Sequence, residues 1–112
     1  MRVFHVYAKL DCPFCKRAVR YLQSEEEVFS LTILDQAPQV LTDLSKEFNW
    51  NTVPIVTLVE NYESNPTDVK LIGGCEDLER FLKEEADVKK AKAKQAAEKY
   101  RSNETSDGGE GE

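Results

Sequence analysis

Two cysteines separated by two residues follow an apolar, strand-like run, and this arrangement constrains the fold of the 112-residue chain more than any other feature. Residues 2–8 are rich in β-branched and aromatic side chains, which is typical of a strand. Directly after Cys12-Pro13-Phe14-Cys15, residues 16–23 place apolar side chains at helical spacing. The cysteines are therefore predicted to lie where a strand turns into a helix, which is the usual layout of a dithiol redox site.

The start of this predicted helix gives the two thiols different roles. Cys12 would lie just before the first turn, with Pro13 at the first helical position, where its missing N–H and fixed φ cost nothing. The unpaired N–H groups of that turn and the positive end of the helix dipole favour a thiolate at Cys12. Thiols in such sites have pKa values of roughly 3.5–7.5 instead of about 8.5. We expect Cys12 to be the nucleophile and Cys15, one turn inside the helix and more covered, to be the resolving thiol.

Three other interpretations of the cysteine pair are weaker. A structural zinc site needs four ligands, and only Cys75 and His5 remain, without a second closely spaced pair. A disulfide-stapled secreted domain is disfavoured by the low cysteine content and by the lack of a signal peptide. Burial of both cysteines as inert core residues is disfavoured by their charged neighbours Asp11, Lys16 and Arg17. The sequence therefore favours redox chemistry, and no metal is expected.

Composition indicates one domain over residues 1–88, followed by a helical extension and a disordered acidic tail over 89–112. The formal net charge is −6, and residues 102–112 contribute four acids and no base to it. No interleaved basic and aromatic residues suggest nucleic acid, and no apolar run is long enough to span a membrane. Without a leader segment, the expected location is the cytoplasm, where thiols are kept reducible, and a monomer is expected.

The apolar patterns predict a βαβ unit followed by a helix, a hairpin and a final helix. Strands are predicted over 2–8, 29–34, 55–60 and 69–72, and helices over 14–23, 40–48 and from 76 onward. A right-handed βαβ unit makes the first two strands parallel neighbours, and the hairpin then extends the sheet antiparallel on the other side. The predicted fold is α/β, with a four-stranded mixed sheet flanked by helices.

Two further motifs lie near the ends of these strands. Thr52-Val53-Pro54 opens the third strand, and Pro54 there indicates either a simple strand start or a cis peptide. A cis bend would expose the Val53 backbone to pair with an extended substrate peptide. Gly73-Gly74-Cys75-Glu76-Asp77 indicates either a flexible turn before a helix or a close backbone approach to a ligand carboxylate. Lys9 could hold a thiolate or a carboxylate, or be an ordinary exposed lysine.

With these motifs in order, the chain resembles a dithiol glutaredoxin of the thioredoxin-fold superfamily over about residues 2–82. The resemblance implies a thioredoxin-like fold and a thiol-disulfide oxidoreductase that reduces protein disulfides and glutathione mixed disulfides, with glutathione as reducing co-substrate. It implies catalysis by Cys12 and Cys15. It also implicates a set of glutathione-binding residues, namely Lys9, Phe14, Thr52, Val53, Pro54, Gly74, Cys75, Glu76 and Asp77.

The alternative function is that of a thioredoxin-like electron donor, re-reduced by a flavoprotein reductase. Phe14, where the family usually has tyrosine, and Leu41, where a polar side chain often lies, favour this alternative, while Lys9, Glu76 and Asp77 favour glutathione. Ribonucleotide reductase is a possible protein partner by family analogy. A third hypothesis is a binding module that presents the polar loop 61–68 and the acidic tail to a partner. A version of this module with an iron–sulfur cluster at Cys12 is disfavoured by Pro13.

Overall fold

The computed structural model describes residues 1–88 of the chain, and its elements follow the predicted order. Residues 75–88 are helical and form α3. The predictions for residues 89–112 lie outside the described residues. The remaining elements are β1 (Val3–Ala8), α1 (Pro13–Ser24), β2 (Phe29–Ile33), α2 (Pro38–Phe48), β3 (Ile55–Val59) and β4 (Val69–Gly73).

The strands form the predicted mixed sheet, in the order β2-β1-β3-β4. β1 pairs parallel with β2 and antiparallel with β3, and β3 pairs antiparallel with β4. The parallel pair is joined through α1, because parallel neighbours need a crossover connection. The hairpin of β3 and β4 lies on the far side of β1, which confirms the predicted topology.

One face of the sheet carries the core. β1 alternates so that Phe4, Val6 and Ala8 are buried, and the amphipathic α1 covers them with Ala18 and Leu22. The rings of Phe4 and Phe81 of α3 meet edge to face, with centroids 6.2 Å apart. Because burial of apolar area is the main stabilising term in folding, this layer fixes α1 and the start of α3 against the sheet.

The opposite face is half-buried and lies near α2. His5 and Tyr7 of β1 point the same way, as their spacing predicts, and their rings stack with centroids 4.3 Å apart. Burial and, secondarily, the charge of Glu47 raise the pKa of Tyr7, which places the end of α2 close to this face. Helices therefore flank the sheet on both sides.

The topology brings the three sequence motifs to one edge of the sheet. β1 and β4 end at the edge where the antiparallel β3 begins. The dithiol follows β1, the Thr52-Val53-Pro54 motif precedes β3, and the Gly73-Gly74 turn follows β4. All three lie in a compact unit formed by Met1–Phe81, and a second unit begins at Leu82. No helix within residues 1–88 is long and apolar enough to cross a membrane.

Candidate redox site

Cys12 caps the first helix with its sulfur. Its backbone is extended, with φ −142° and ψ 101°, and Pro13 is at the first helical position. The Cys15 N–H donates to Cys12 Sγ at 3.1 Å, so a helix-start N–H points at this sulfur as the sequence predicts. Such a donor stabilises a thiolate more than a neutral thiol. The local backbone therefore suits Cys12 for the attacking role.

The two cysteines are joined as a disulfide, with their Cα atoms 5.2 Å apart. Cys15 is 3% exposed and Cys12 is 7% exposed, so Cys15 is the more covered of the two, in agreement with the prediction. Phe14 lies between them and is half exposed. Its ring therefore presents an apolar surface to solvent. The pair can exist as a dithiol or as a disulfide, which is the requirement for two-electron exchange with another disulfide.

The bend before β3 lies directly opposite the dithiol. The Val53–Pro54 peptide bond is cis, which decides between the two alternatives that the sequence leaves open at Pro54. Cys12 Sγ lies 3.9 Å from the carbonyl oxygen of Val53. A substrate sulfur that bonds to Cys12 would therefore bring its own chain alongside the backbone of this bend.

The turn between β4 and α3 is shaped by one carboxylate. Gly73 adopts φ +126°, and a Cβ at this position would come within 2.9 Å of three Asp77 side-chain atoms. Asp77 Oδ2 accepts a hydrogen bond from the Gly74 N–H at 2.9 Å. The first N–H groups of α3 have no carbonyl partner one turn earlier, so they can donate to a ligand. The geometry therefore combines a close backbone approach with a helix start.

A groove of about 410 Å³ joins these motifs. It brings together eight of the nine residues predicted to bind glutathione, and Trp50 joins them in its wall. Its lining residues are Phe14, Trp50, Thr52, Val53, Pro54, Gly74, Cys75, Glu76 and Asp77. An elongated peptide-sized ligand lying in this groove would reach the edge of the dithiol. We call it the bend groove.

Two residues differ from the sequence-based interpretation of this site. Lys9 lines a separate groove with Cys15 and is not in the bend groove, so its part in ligand binding stays a prediction. Trp50, which is not among the predicted site residues, lines the bend groove, and its Nε1 is buried without a hydrogen-bond partner among residues 1–88. Its position two residues before Thr52 in the Thr52-Val53-Pro54 motif was the available signal. Trp50 thus adds an apolar wall to the groove.

Cys75 lies in the bend groove in surroundings unlike those of Cys12. It is 4% exposed, and its sulfur is 3.6 Å from Oε2 of Glu79. Burial, followed by the charge of Glu79, raises the pKa of Cys75 to about 11, while the charge of Arg17 partly opposes this shift. Cys75 is therefore a neutral thiol near pH 7, unsuited to attack a disulfide.

Known proteins of similar sequence and fold agree with this geometry. A family model described as Glutaredoxin matches residues 5–62, which is more than half of the chain. No curated protein sequence matches the chain. Within residues 1–88, no group of three or more His, Cys, Asp or Glu side chains is placed to hold a metal ion.

Two solved structures are similar in fold. The dithiolic glutaredoxin 2-C-Grx1 from Trypanosoma brucei brucei is 26% identical, with a TM-score of 0.56 over 72% of this chain and 77% of that one. The buckwheat glutaredoxin, solved as a complex with glutathione, is 20% identical, with a TM-score of 0.58 over 72% of this chain and 68% of that one.

Proposed function

The chain belongs to the glutaredoxin family of thiol-disulfide oxidoreductases, and from this premise we propose that glutathione is both the reductant and a ligand of its Cys12–Cys15 dithiol. One observation carries the proposal. Cys12 Sγ lies at the cis bend that forms one wall of the bend groove, so a tripeptide disulfide-bonded to Cys12 has an adjoining channel to occupy. The buckwheat glutaredoxin, similar in fold, was solved with glutathione bound.

The groove suits both ends of glutathione chemically. The γ-glutamyl end carries a carboxylate and an ammonium group on one carbon atom. The free N–H groups at the start of α3 can hold that carboxylate, while the carboxylates of Glu76 and Asp77 can hold the ammonium group. The extended centre of the tripeptide can pair with the backbone of Val53.

The proposed reaction on a glutathionylated protein proceeds by two thiol–disulfide exchanges. The Cys12 thiolate attacks the glutathione sulfur, a Cys12–glutathione disulfide forms, and the protein leaves as a thiolate that takes a proton. A second glutathione thiolate then attacks the sulfur of the bound glutathione. Oxidised glutathione leaves, and the Cys12 thiolate is restored, so electrons and protons balance.

On a protein disulfide, the same thiolate would act together with Cys15. Cys12 attacks one substrate sulfur, and Cys15, after losing its proton, attacks Cys12 to release a reduced protein and form the Cys12–Cys15 disulfide. Two glutathione molecules then reduce that disulfide. Glutaredoxin potentials near −200 to −230 mV allow the glutathione pool of a reducing compartment to drive this step, which favours the cytoplasm as its location. Ribonucleotide reductase stays a candidate substrate on family grounds alone.

The decisive measurement is the rate of glutathione-dependent reduction of a glutathione mixed disulfide by wild type, Cys12→Ser and Cys15→Ser. We expect Cys12→Ser to be inactive and Cys15→Ser to keep this activity but to lose reduction of protein disulfides. If the wild type turns over only with a thioredoxin-type reductase, the glutathione proposal fails and the electron-donor alternative replaces it.

Binding can be tested apart from catalysis. The sequence has a single tryptophan, Trp50, and it lines the bend groove. Titrating Cys12→Ser with S-methylglutathione, which cannot exchange thiols, should therefore change the tryptophan emission in a saturable way. An unchanged emission, together with no competition against a glutathionylated substrate, would place the ligand elsewhere.

A further inference from the structure

β2, one of the two edge strands of the sheet, lacks the features that usually protect an edge. Within the described residues, β2 has β1 as its only neighbour. Natural edge strands are commonly blocked by lysine, proline, bulges or covering loops. β2 has the sequence Phe-Ser-Leu-Thr-Ile, with no charge and no proline. Such a strand is a ready template for pairing with another extended segment.

The hydrogen bonds of β1 show which groups of β2 are free to pair. The N–H of Phe4 donates to the carbonyl oxygen of Val28 at 2.9 Å. In a parallel pair, alternate residues of a strand direct both backbone groups to the same neighbour. Residues 28, 30 and 32 therefore face β1, and the N–H and C=O groups of Phe29, Leu31 and Ile33 face outward.

An apolar groove of about 370 Å³ runs between this edge and α1. Its apolar lining includes Leu31 and Ile33 of β2, with Leu10 and Val19. Leu10 is 65% exposed, Leu31 is 44% exposed and Ile33 is 40% exposed, so the patch is open to a partner. We call this surface the edge groove.

The rim of the edge groove is basic in a protein of net charge −6. Lys9, Lys16 and Arg20 line it, and none of them has an ion pair with another residue in the described part of the chain. Arg2 and Arg17, by contrast, are held by carboxylates at 2.8 Å and 2.6 Å. Three uncompensated cations beside aliphatic side chains match a ligand that is both aliphatic and acidic.

We propose that the edge groove binds an extended segment of a partner protein, which pairs as an added strand with β2. Every second side chain of that segment faces the groove, aliphatic beside Leu31 and Ile33 and acidic beside Lys16 and Arg20. A second copy of this chain fits less well, because pairing β2 with β2 would bring two basic rims together. The chain's own residues 102–112 supply acids but no aliphatic side chain. Cys15 also lines this groove, but the proposed strand pairing uses no thiol.

Short peptides without cysteine test the proposal on the full-length, oxidised protein. The first probe is the octapeptide Ser-Val-Ser-Val-Ser-Glu-Ser-Glu. A second probe has the reverse sequence, because the added strand could run in either direction. A control peptide carries lysine in place of glutamate. Titrations are followed by fluorescence anisotropy and by amide nuclear magnetic resonance shifts. The protein variants are Arg20→Glu and, as a matched charge reversal at a residue that does not line the groove, Lys46→Glu on α2.

We expect one acidic probe to bind and to shift the amides of Phe29, Leu31 and Ile33. Arg20→Glu should weaken that binding about fivefold, since an attraction becomes a repulsion, while Lys46→Glu should not change it. The proposal is overturned if neither acidic probe binds, if the lysine peptide binds equally well, or if the shifts lie elsewhere. It is also overturned if these amides respond instead to protein concentration, to a synthetic peptide of residues 102–112, or to phosphatidylserine vesicles without responding to the acidic probes. Because the probes carry no sulfur, failure here leaves the glutathione proposal untouched.

Discussion

Two helices of this protein begin at a cysteine, and the two sulfur atoms have opposite surroundings. Cys12 caps α1 and accepts a hydrogen bond from the Cys15 N–H. Cys75 is the first residue of α3, but its sulfur faces the carboxylate of Glu79 one turn into the helix. A helix start therefore does not activate a thiol by itself, because the nearest charge and the extent of burial also act on it.

The difference between Cys12 and Cys75 follows from which acceptor binds a backbone N–H at the start of each helix. At α1 the capping atom is the cysteine sulfur. At α3 the Asp77 carboxylate takes the Gly74 N–H, so the capping acceptor is a carboxylate and not the thiol. Cys75 then stays a buried, neutral side chain in the wall of the bend groove, next to the reactive pair without competing with it.

The largest expected effect is a difference in alkylation between these two cysteines in the reduced protein at pH 7. A thiol with a pKa of about 11 is thiolate in roughly one molecule in ten thousand at this pH. A helix-capping Cys-X-X-Cys thiol has a pKa of at most about 7.5, so about a quarter or more of it is thiolate at pH 7. Peptide-resolved mass spectrometry with iodoacetamide should therefore show Cys12 reacting at least about a hundredfold faster. Comparable alkylation rates at Cys12 and Cys75 would contradict the difference that their surroundings predict.

The next effect concerns the cap of α3. Gly73→Ala should destabilise the protein by about 2–3 kcal/mol, because its φ is unfavourable for alanine and the new Cβ would displace the Asp77 side chain. Gly74→Ala is the matched control, since its added Cβ meets its nearest neighbours at 3.7 Å, and we expect a loss of less than about 1 kcal/mol. Urea unfolding measures both. Equal losses would show that the Asp77 cap does not stabilise the turn.

Much of the dithiol site could be predicted from the sequence because its signals are local. The strand-to-helix transition, the capping sulfur and Pro13 are encoded within a few residues of one another, and the structure confirms them. The order and pairing of the strands follow from apolar periodicity and from the chirality of βαβ units. The cis bond at Pro54 was one of two open alternatives, since most bonds before proline are trans.

The remaining features depend on residues distant in sequence. Arg17 and Glu79 are 62 positions apart, so no local pattern indicates that their ion pair lies beside the thiol of Cys75. The entry of Trp50 into the bend groove likewise depends on the way the chain approaches β3. Lys9 is three residues from Cys12, yet it lines the edge groove, because spacing along a turn does not determine which side a long side chain takes.

Removing the charge of Glu79 should bring the reactivity of Cys75 closer to that of Cys12. In Glu79→Gln the repulsive charge is lost, while the amide oxygen can still accept from the thiol, so the pKa of Cys75 should fall below 11. Burial is the larger cause, and we therefore expect at most about a tenfold faster alkylation of Cys75 at pH 8. Glu76→Gln is the control, because the charge of Glu76 raises the pKa of Cys75 least. A similar acceleration in both variants would point to a general charge effect.

The smallest effect separates charge from packing at Cys75. Arg17 holds Glu79 through two hydrogen bonds, at 2.6 Å and 2.7 Å, and its charge lowers the pKa of Cys75. Arg17→Gln leaves the Glu79 charge uncompensated, so alkylation of Cys75 should slow by about twofold to threefold, opposite in direction to Glu79→Gln. Arg20→Gln, on the same helix and without an ion pair in the described residues, should leave the rate unchanged. If replacing either partner of the ion pair instead accelerates alkylation of Cys75, the pair shields Cys75 sterically. Electrostatics would then not explain why the reactivity of Cys75 differs from that of Cys12.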